Sequence, residues 1–96
     1  MDKTIYYNNL YDYYGMLLTD KQKSYYEDYY FNDLSLSEIA ENNKVSRNAV
    51  HNQLRIAIEK LEFYEEKLKL LEKNKKILVL ISDLDDKIKE KIEELI

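Results

Sequence analysis

The sequence has no cysteine and no proline, and a single glycine, Gly15, among its 96 residues. Without cysteine there is no disulfide framework and no thiolate metal site. A sheet protein draws on proline and glycine for its turns, so their scarcity points to an all-helical chain before any pattern is read. Long apolar runs are missing too. The longest, Ile77 to Ile81, is far too short to span a bilayer. The opening MDKTIYYNNL lacks the apolar core of a signal peptide. The expectation is a soluble, cytoplasmic protein with no membrane insertion, folded as one domain with room for a helical extension.

Catalytic equipment is also scarce. His51 is the only histidine, with no cysteine or second histidine to share a metal. One glycine cannot build a phosphate-cradling loop. The pairs Glu65–Glu66 and Asp85–Asp86 are sequence neighbours, which diverge by about 100° on a helix and do not converge on a substrate. No enzyme activity, metal or cofactor is expected.

Charge and aromatics carry more. The formal charge is −4, but it is uneven. Residues 1–43 hold three Lys against eight acids, and residues 65–96 hold eight Lys against nine. Between them Lys44, Arg47, Arg55 and Lys60 face only Glu59 and Glu62, a net of +2. Ten tyrosines are a large share for this length. Codon bias toward A and T explains them without special chemistry; stacking on bases is the functional alternative.

The helices follow from periodicity and start signals. Tyr7, Leu10, Tyr11, Tyr14, Leu17 and Leu18 recur at helical spacing, predicting a first helix from Tyr6 or Asn8 to Leu18. Gly15 sits inside it at a cost of ~1 kcal/mol relative to Ala, and leaves room for a close contact. Thr19 and Gln22 form a capping box that starts a second helix. Its Tyr25, Tyr26, Tyr29, Tyr30 and Phe31 read as core. Ser35 and Glu38 form a second capping box, with Leu34 and Ile39 as a hydrophobic staple, and start a third helix ending near Asn42 or Asn43. The fourth starts at Ser46, buries Val50, Leu54, Ala57, Ile58 and Leu61, and runs well past Leu61 on strong helix formers. From Ile77 to Ile96 a last apolar stripe recurs at spacings of three and four. A break is expected near residues 72–76 or at Ser82. The division expected is a helix-turn-helix domain over residues 1–64 and a helical tail over 65–96.

The third and fourth helices make a helix-turn-helix. Ala40 supplies the small side chain where the two helices cross. The turn needs a residue that tolerates positive φ, either Asn43 in a shifted turn or Lys44 under strain. With Val50 inward, Asn48, His51, Asn52 and Arg55 point to the opposite side. Asn pairs with adenine and Arg with guanine through two hydrogen bonds each. Lys44, Ser46 and Arg47 stand where the helix begins, beside backbone N–H groups able to hold phosphate. The candidate nucleic-acid-binding residues are therefore Lys44, Ser46, Arg47, Asn48, His51, Asn52 and Arg55. The competing reading is a solvated scaffold face, since one protomer offers few cations against a strong binder's 6–10 phosphate contacts.

The order LSEIAENNKVSRNAVHNQLRIAIEKL resembles the helix-turn-helix of region 4 of bacterial sigma factors. The wider stretch from Leu10 to Leu70, with LLTDKQ and SLSEIAE before VSRNAV, resembles the YlxM-like family of small bacterial proteins. The resemblance implies an all-α, sigma-region-4-like bundle with a long C-terminal helical extension. It also implies a regulatory role in the signal recognition particle pathway, because genes of that family commonly lie beside the gene for the particle's GTPase. The partners expected are DNA or signal recognition particle RNA, and signal recognition particle proteins. The amphipathic tail needs a cover, by folding back or by forming a homodimer. Two alternatives stand beside this reading: a sequence-specific transcription regulator, and a protein-interaction module that uses the helix-turn-helix as scaffold.

Overall fold

The computed structural model describes residues 2–96. Helix α1 spans Thr4–Tyr14 and ends in a 3-10 turn at Gly15–Leu17. Helices α2 (Asp20–Tyr30), α3 (Leu36–Asn43) and α4 (Arg47–Leu68) follow, then α5 (Leu70–Leu80) and α6 (Asp86–Leu95). The described residues hold no strand, and no helix among them is long and apolar enough to cross a membrane.

Local chemistry explains most boundaries. The Thr19 side chain accepts from Gln22 N at 3.2 Å, and Gln22 Oε1 accepts from Thr19 N at 3.1 Å. Ser35 and Glu38 repeat the same reciprocal pair at α3. Both capping boxes stand where the sequence places them. Helix α1 starts earlier than its apolar stripe, because Asp2 Oδ1 accepts from Thr4 N at 2.9 Å and supplies a polar start that the stripe does not show. Its last turn tightens to 3-10 instead of continuing as α-helix to Leu18.

The core is built around α4, which packs against α1, α2 and α3. Val50, Leu54, Ala57 and Leu61 are buried there, with Ile58 half-buried. They meet Leu10, Tyr14, Leu18, Tyr25, Tyr26, Ile39 and Ala40. Tyrosine does much of the packing. The Tyr11 and Tyr26 rings stack 4.4 Å apart and nearly parallel, and the buried Tyr26 hydroxyl donates to Asn8 Oδ1 at 2.8 Å. The Tyr11 hydroxyl donates to Glu27. Burial, aided for Tyr11 by that bond, raises both phenols well above the usual value. Tyr29 and Phe31, read as core from spacing, are instead 38% and 48% exposed. Phe31 caps α2 rather than continuing it.

Gly15 adopts ordinary helical angles, so it does not serve a left-handed turn. A Cβ there would come within 2.9 Å of the Tyr11 ring, which is already fixed by its stack on Tyr26. The left-handed positions fall on Asp33, Lys44 and Lys69.

The joint between α4 and α5 is held by Tyr14 from α1 and Glu65 from α4. Lys69, at φ 55°, ends α4. The Tyr14 hydroxyl donates to Glu65 Oε1 at 2.7 Å and accepts from Leu70 N at 3.0 Å. The two Glu65 oxygens accept from Leu71 N and Glu72 N, each at 3.1 Å. One carboxylate and one phenol thereby satisfy three orphan amides at the start of α5. Burial and the Glu65 bond push the Tyr14 phenol up to about 12. Leu71 joins the core, and α5 packs on α1. The break therefore falls at Lys69, ahead of the residue 72–76 stretch expected, while the second expected break at Ser82 is present in the turn before α6. Asp85 caps α6 by accepting from Lys87 N at 2.9 Å.

Candidate nucleic-acid interface

The turn between α3 and α4 sets the direction of the candidate face. Lys44 takes the left-handed conformation, at φ 56° and ψ 44°. Lys44 N donates to Glu41 O at 3.3 Å and Val45 N to Ala40 O at 3.0 Å. This pair of bonds closes the end of α3 as a Schellman motif. Asn43, the other candidate for that conformation, stays in α3 and donates its side-chain amide to Ile39 O at 2.8 Å. Ser46 then caps α4 by accepting from Ala49 N at 3.0 Å, so its hydroxyl is already engaged at the helix start.

All seven candidate residues, Lys44, Ser46, Arg47, Asn48, His51, Asn52 and Arg55, are exposed. The tail covers none of the four that point away from Val50. Residues 44–58 contain no Asp or Glu, and the first turn of α4 carries no acid against its positive dipole end. Among the described residues Lys44 and Arg47 have no ion-pair partner, and the Asn48 amide has no hydrogen bond. Arg55 differs. Its guanidinium donates to Glu59 Oε1 at 2.7 Å and to Asn52 Oδ1 at 2.6 Å. Part of its charge is thereby offset, and Asn52 must release Arg55 before it can use both ends of its amide on a base. The freest cations lie at the N-terminal end of the helix.

A groove of about 430 Å³ opens between α2, α3 and α4 beside this face. His51 and Arg55 belong to both. Tyr29 and Glu62 also line it, and sequence reasoning assigned neither to a site. For Tyr29 the helical spacing pointed inward. No signal in the sequence sets Glu62 apart from the other acids of α4.

Elsewhere, Lys76 pairs with Glu72 at 3.2 Å, and Lys67 Nζ lies 5.6 Å from the centre of the Phe63 ring. The described residues contain no cluster of His, Cys, Asp and Glu able to hold a metal.

Comparison with known proteins gives this arrangement a family. Residues 1–96 match the model of the UPF0122 family, described as "Putative helix-turn-helix protein, YlxM / p13 like". A UPF0122 protein of Caldanaerobacter subterraneus is 47% identical over 89 residues, covering 93% of this chain and 73% of that protein. One of Fusobacterium nucleatum is 43% identical over 97 aligned positions, covering 100% and 94%. One of Shouchella clausii is 48% identical over 84 residues, covering 88% and 77%. The chain belongs to the UPF0122 family.

Proposed function

We propose that this UPF0122 chain is a non-catalytic nucleic-acid-binding protein that works in the cytoplasm as a regulatory component of the signal recognition particle pathway. The observation that carries the binding reading is the exposed outer face of the acid-free run from Lys44 to Ile58, with its unpaired cations at the start of α4. In an acidic chain this is the surface on which a polyanion meets least repulsion. Lys44 and Arg47 hold phosphate, with Ser46 fixing the helix start beside them. Asn48, His51 and Asn52 face bases, and Arg55 contacts the backbone. The resemblance to YlxM-like proteins supports the placement in the pathway, with signal recognition particle RNA as the ligand and its proteins as further partners.

A second reading, a transcription regulator that binds paired half-sites as a homodimer, has one feature in its favour. On the tail, residues 65–96, Val79 and Leu80 are 73% and 79% exposed, with Leu84, Ile88 and Leu95 exposed nearby. Pairing of two tails would cover them and present two recognition helices. The same surface would serve a protein-interaction module.

The test is a titration of nucleic-acid-free protein against random duplex DNA and signal recognition particle RNA, with sedimentation to read oligomeric state. Tighter RNA binding that is lost in the Arg47→Ala, Arg55→Ala variant supports the first reading. DNA preference by a dimer favours the second. Absence of binding to either at low salt, with helicity intact, overturns both and leaves the interaction module.

A further inference from the structure

We infer that the groove between α2, α3 and α4 receives one unpaired nucleobase, so that the ligand of this face is a structured RNA with a bulged or looped-out base beside a stem. The inference rests on the nucleic-acid reading above and names the form of ligand that the site selects.

Position is the first argument. Along α4 the groove residues begin at His51, one turn beyond Arg47, and end at Glu62. At 1.5 Å per residue the groove opens about 6 Å along the axis from Arg47. A strand whose phosphate rests on Lys44 and Arg47 therefore passes the mouth of the groove within a nucleotide or two.

Size and walls are the second. About 430 Å³ lies within the ~300–1,000 Å³ common for small-ligand pockets. Leu36, Leu54 and Ile58 supply apolar lining, and the partly exposed Tyr29 supplies an aromatic face. The Arg55 guanidinium supplies a second flat group. Splayed-out RNA bases are held by stacking on such surfaces. Tyr29 is not among the side chains packed against the core, and its one aromatic neighbour among the described residues is Tyr30, roughly perpendicular at 5.0 Å.

Charge is the third argument, and it selects base over backbone. The polar lining includes two carboxylates, Glu59 and Glu62. Glu59 is paired with Arg55, and the unpaired Glu62 repels phosphate at its end of the groove. Carboxylates suit the N–H donors on the Watson–Crick edge of a base. A paired base has that edge occupied, and only an unpaired one can offer it. Glu62 is exposed and makes no hydrogen bond or ion pair among the described residues, so its acceptors are free. An acidic rim of this kind is out of place on a surface that only tracks phosphates, and the acid-free run ends where the rim begins.

The experiment compares two labelled RNA hairpins of equal length, one fully paired and one with a single bulged 2-aminopurine, on wild-type protein and on Tyr29→Ala, Glu62→Gln and Arg47→Ala. The wild type is expected to prefer the bulged hairpin about tenfold or more, the scale of one base–aromatic stack, and to change the 2-aminopurine fluorescence on binding. Tyr29→Ala and Glu62→Gln should lose that preference and the fluorescence change while retaining affinity for the paired hairpin. Glu62→Gln touches an exposed, unbonded side chain and keeps the test valid if Tyr29→Ala unfolds. Arg47→Ala should weaken both hairpins equally. Equal wild-type affinity for the two hairpins, lost in Arg47→Ala and unchanged in the groove variants, overturns the base pocket and leaves the nucleic-acid reading standing. No binding of either hairpin overturns both.

Discussion

Replacing Tyr14 by Phe removes one oxygen from the joint that aims the tail. That oxygen donates to Glu65 at 2.7 Å and accepts from Leu70 N at 3.0 Å, while the ring around it is 1% exposed. A hydrogen bond to a charged group contributes ~1.5–3 kcal/mol. Leu70 is exposed, so water can replace the lost acceptor there. Glu65 also keeps its bonds from Leu71 N and Glu72 N. The loss should lie at the low end, about 1.5–2 kcal/mol. A domain of this size shifts its Tm by ~4–8 °C per kcal/mol, which gives a drop of roughly 6–16 °C in thermal unfolding. Hydrogen exchange should localise the effect, with the amides of Leu70, Leu71 and Glu72 exchanging faster and those of α3 unchanged. Combining Tyr14→Phe with Glu65→Gln should cost less than the sum of the two, because both act on one network. An unchanged melting temperature, with those three amides as protected as in the wild type, would refute the claim that Tyr14 and Glu65 hold the α4–α5 joint.

Lys69→Gly should stabilise the protein by about 1 kcal/mol in denaturant unfolding, since glycine takes the left-handed conformation without the Cβ penalty. Gly15→Ala should do the reverse and lower stability by ~1–3 kcal/mol. The added methyl meets the Tyr11 ring at 2.9 Å, and that ring cannot retreat from its stack on Tyr26. Alkali should unfold the chain. Burial holds Tyr11, Tyr14 and Tyr26 above the ordinary value of 10.0, Tyr14 at about 12. The unfolded chain ionises first, so stability is fully present below pH 10 and is lost as pH rises through the folded values. Circular dichroism recorded with tyrosinate absorbance should show the last phenols ionising only as helix is lost; titration of every tyrosine near pH 10 with helix intact would contradict the packing described.

What the sequence made legible was local. The capping boxes at Thr19 and Ser35 are pairs of side chains three residues apart, and nothing distant is needed to form them. The inward stripe of α4 is equally local, and its outward face follows from the same period. The break at Lys69 is different. The residues around it are good helix formers, and α4 could continue through them. Tyr14, more than fifty positions earlier in the chain, and Glu65 make a new helix start there more favourable. No window of sequence contains that signal. Tyr29 fails for a related reason. A period reports which side of a helix a residue occupies, but not whether a neighbour reaches far enough to cover it. Here α3 and α4 leave a groove at that place. For the binding face the polarity was legible, and the bonds that tie Arg55 to Glu59 and Asn52 were not, since they depend on the rotamers of long side chains.

The most direct test of the central claim is the salt dependence of binding to duplex or hairpin ligands. Each phosphate neutralised on a duplex adds ~0.9 to the slope of log affinity against log salt. Contacts from Lys44, Arg47 and Arg55 predict a slope of about −2 to −3 for one protomer, falling by about one unit in Arg47→Ala. A slope near zero, or one that Arg47→Ala leaves unchanged, would contradict the claim that the start of α4 is where this acidic protein meets a polyanion.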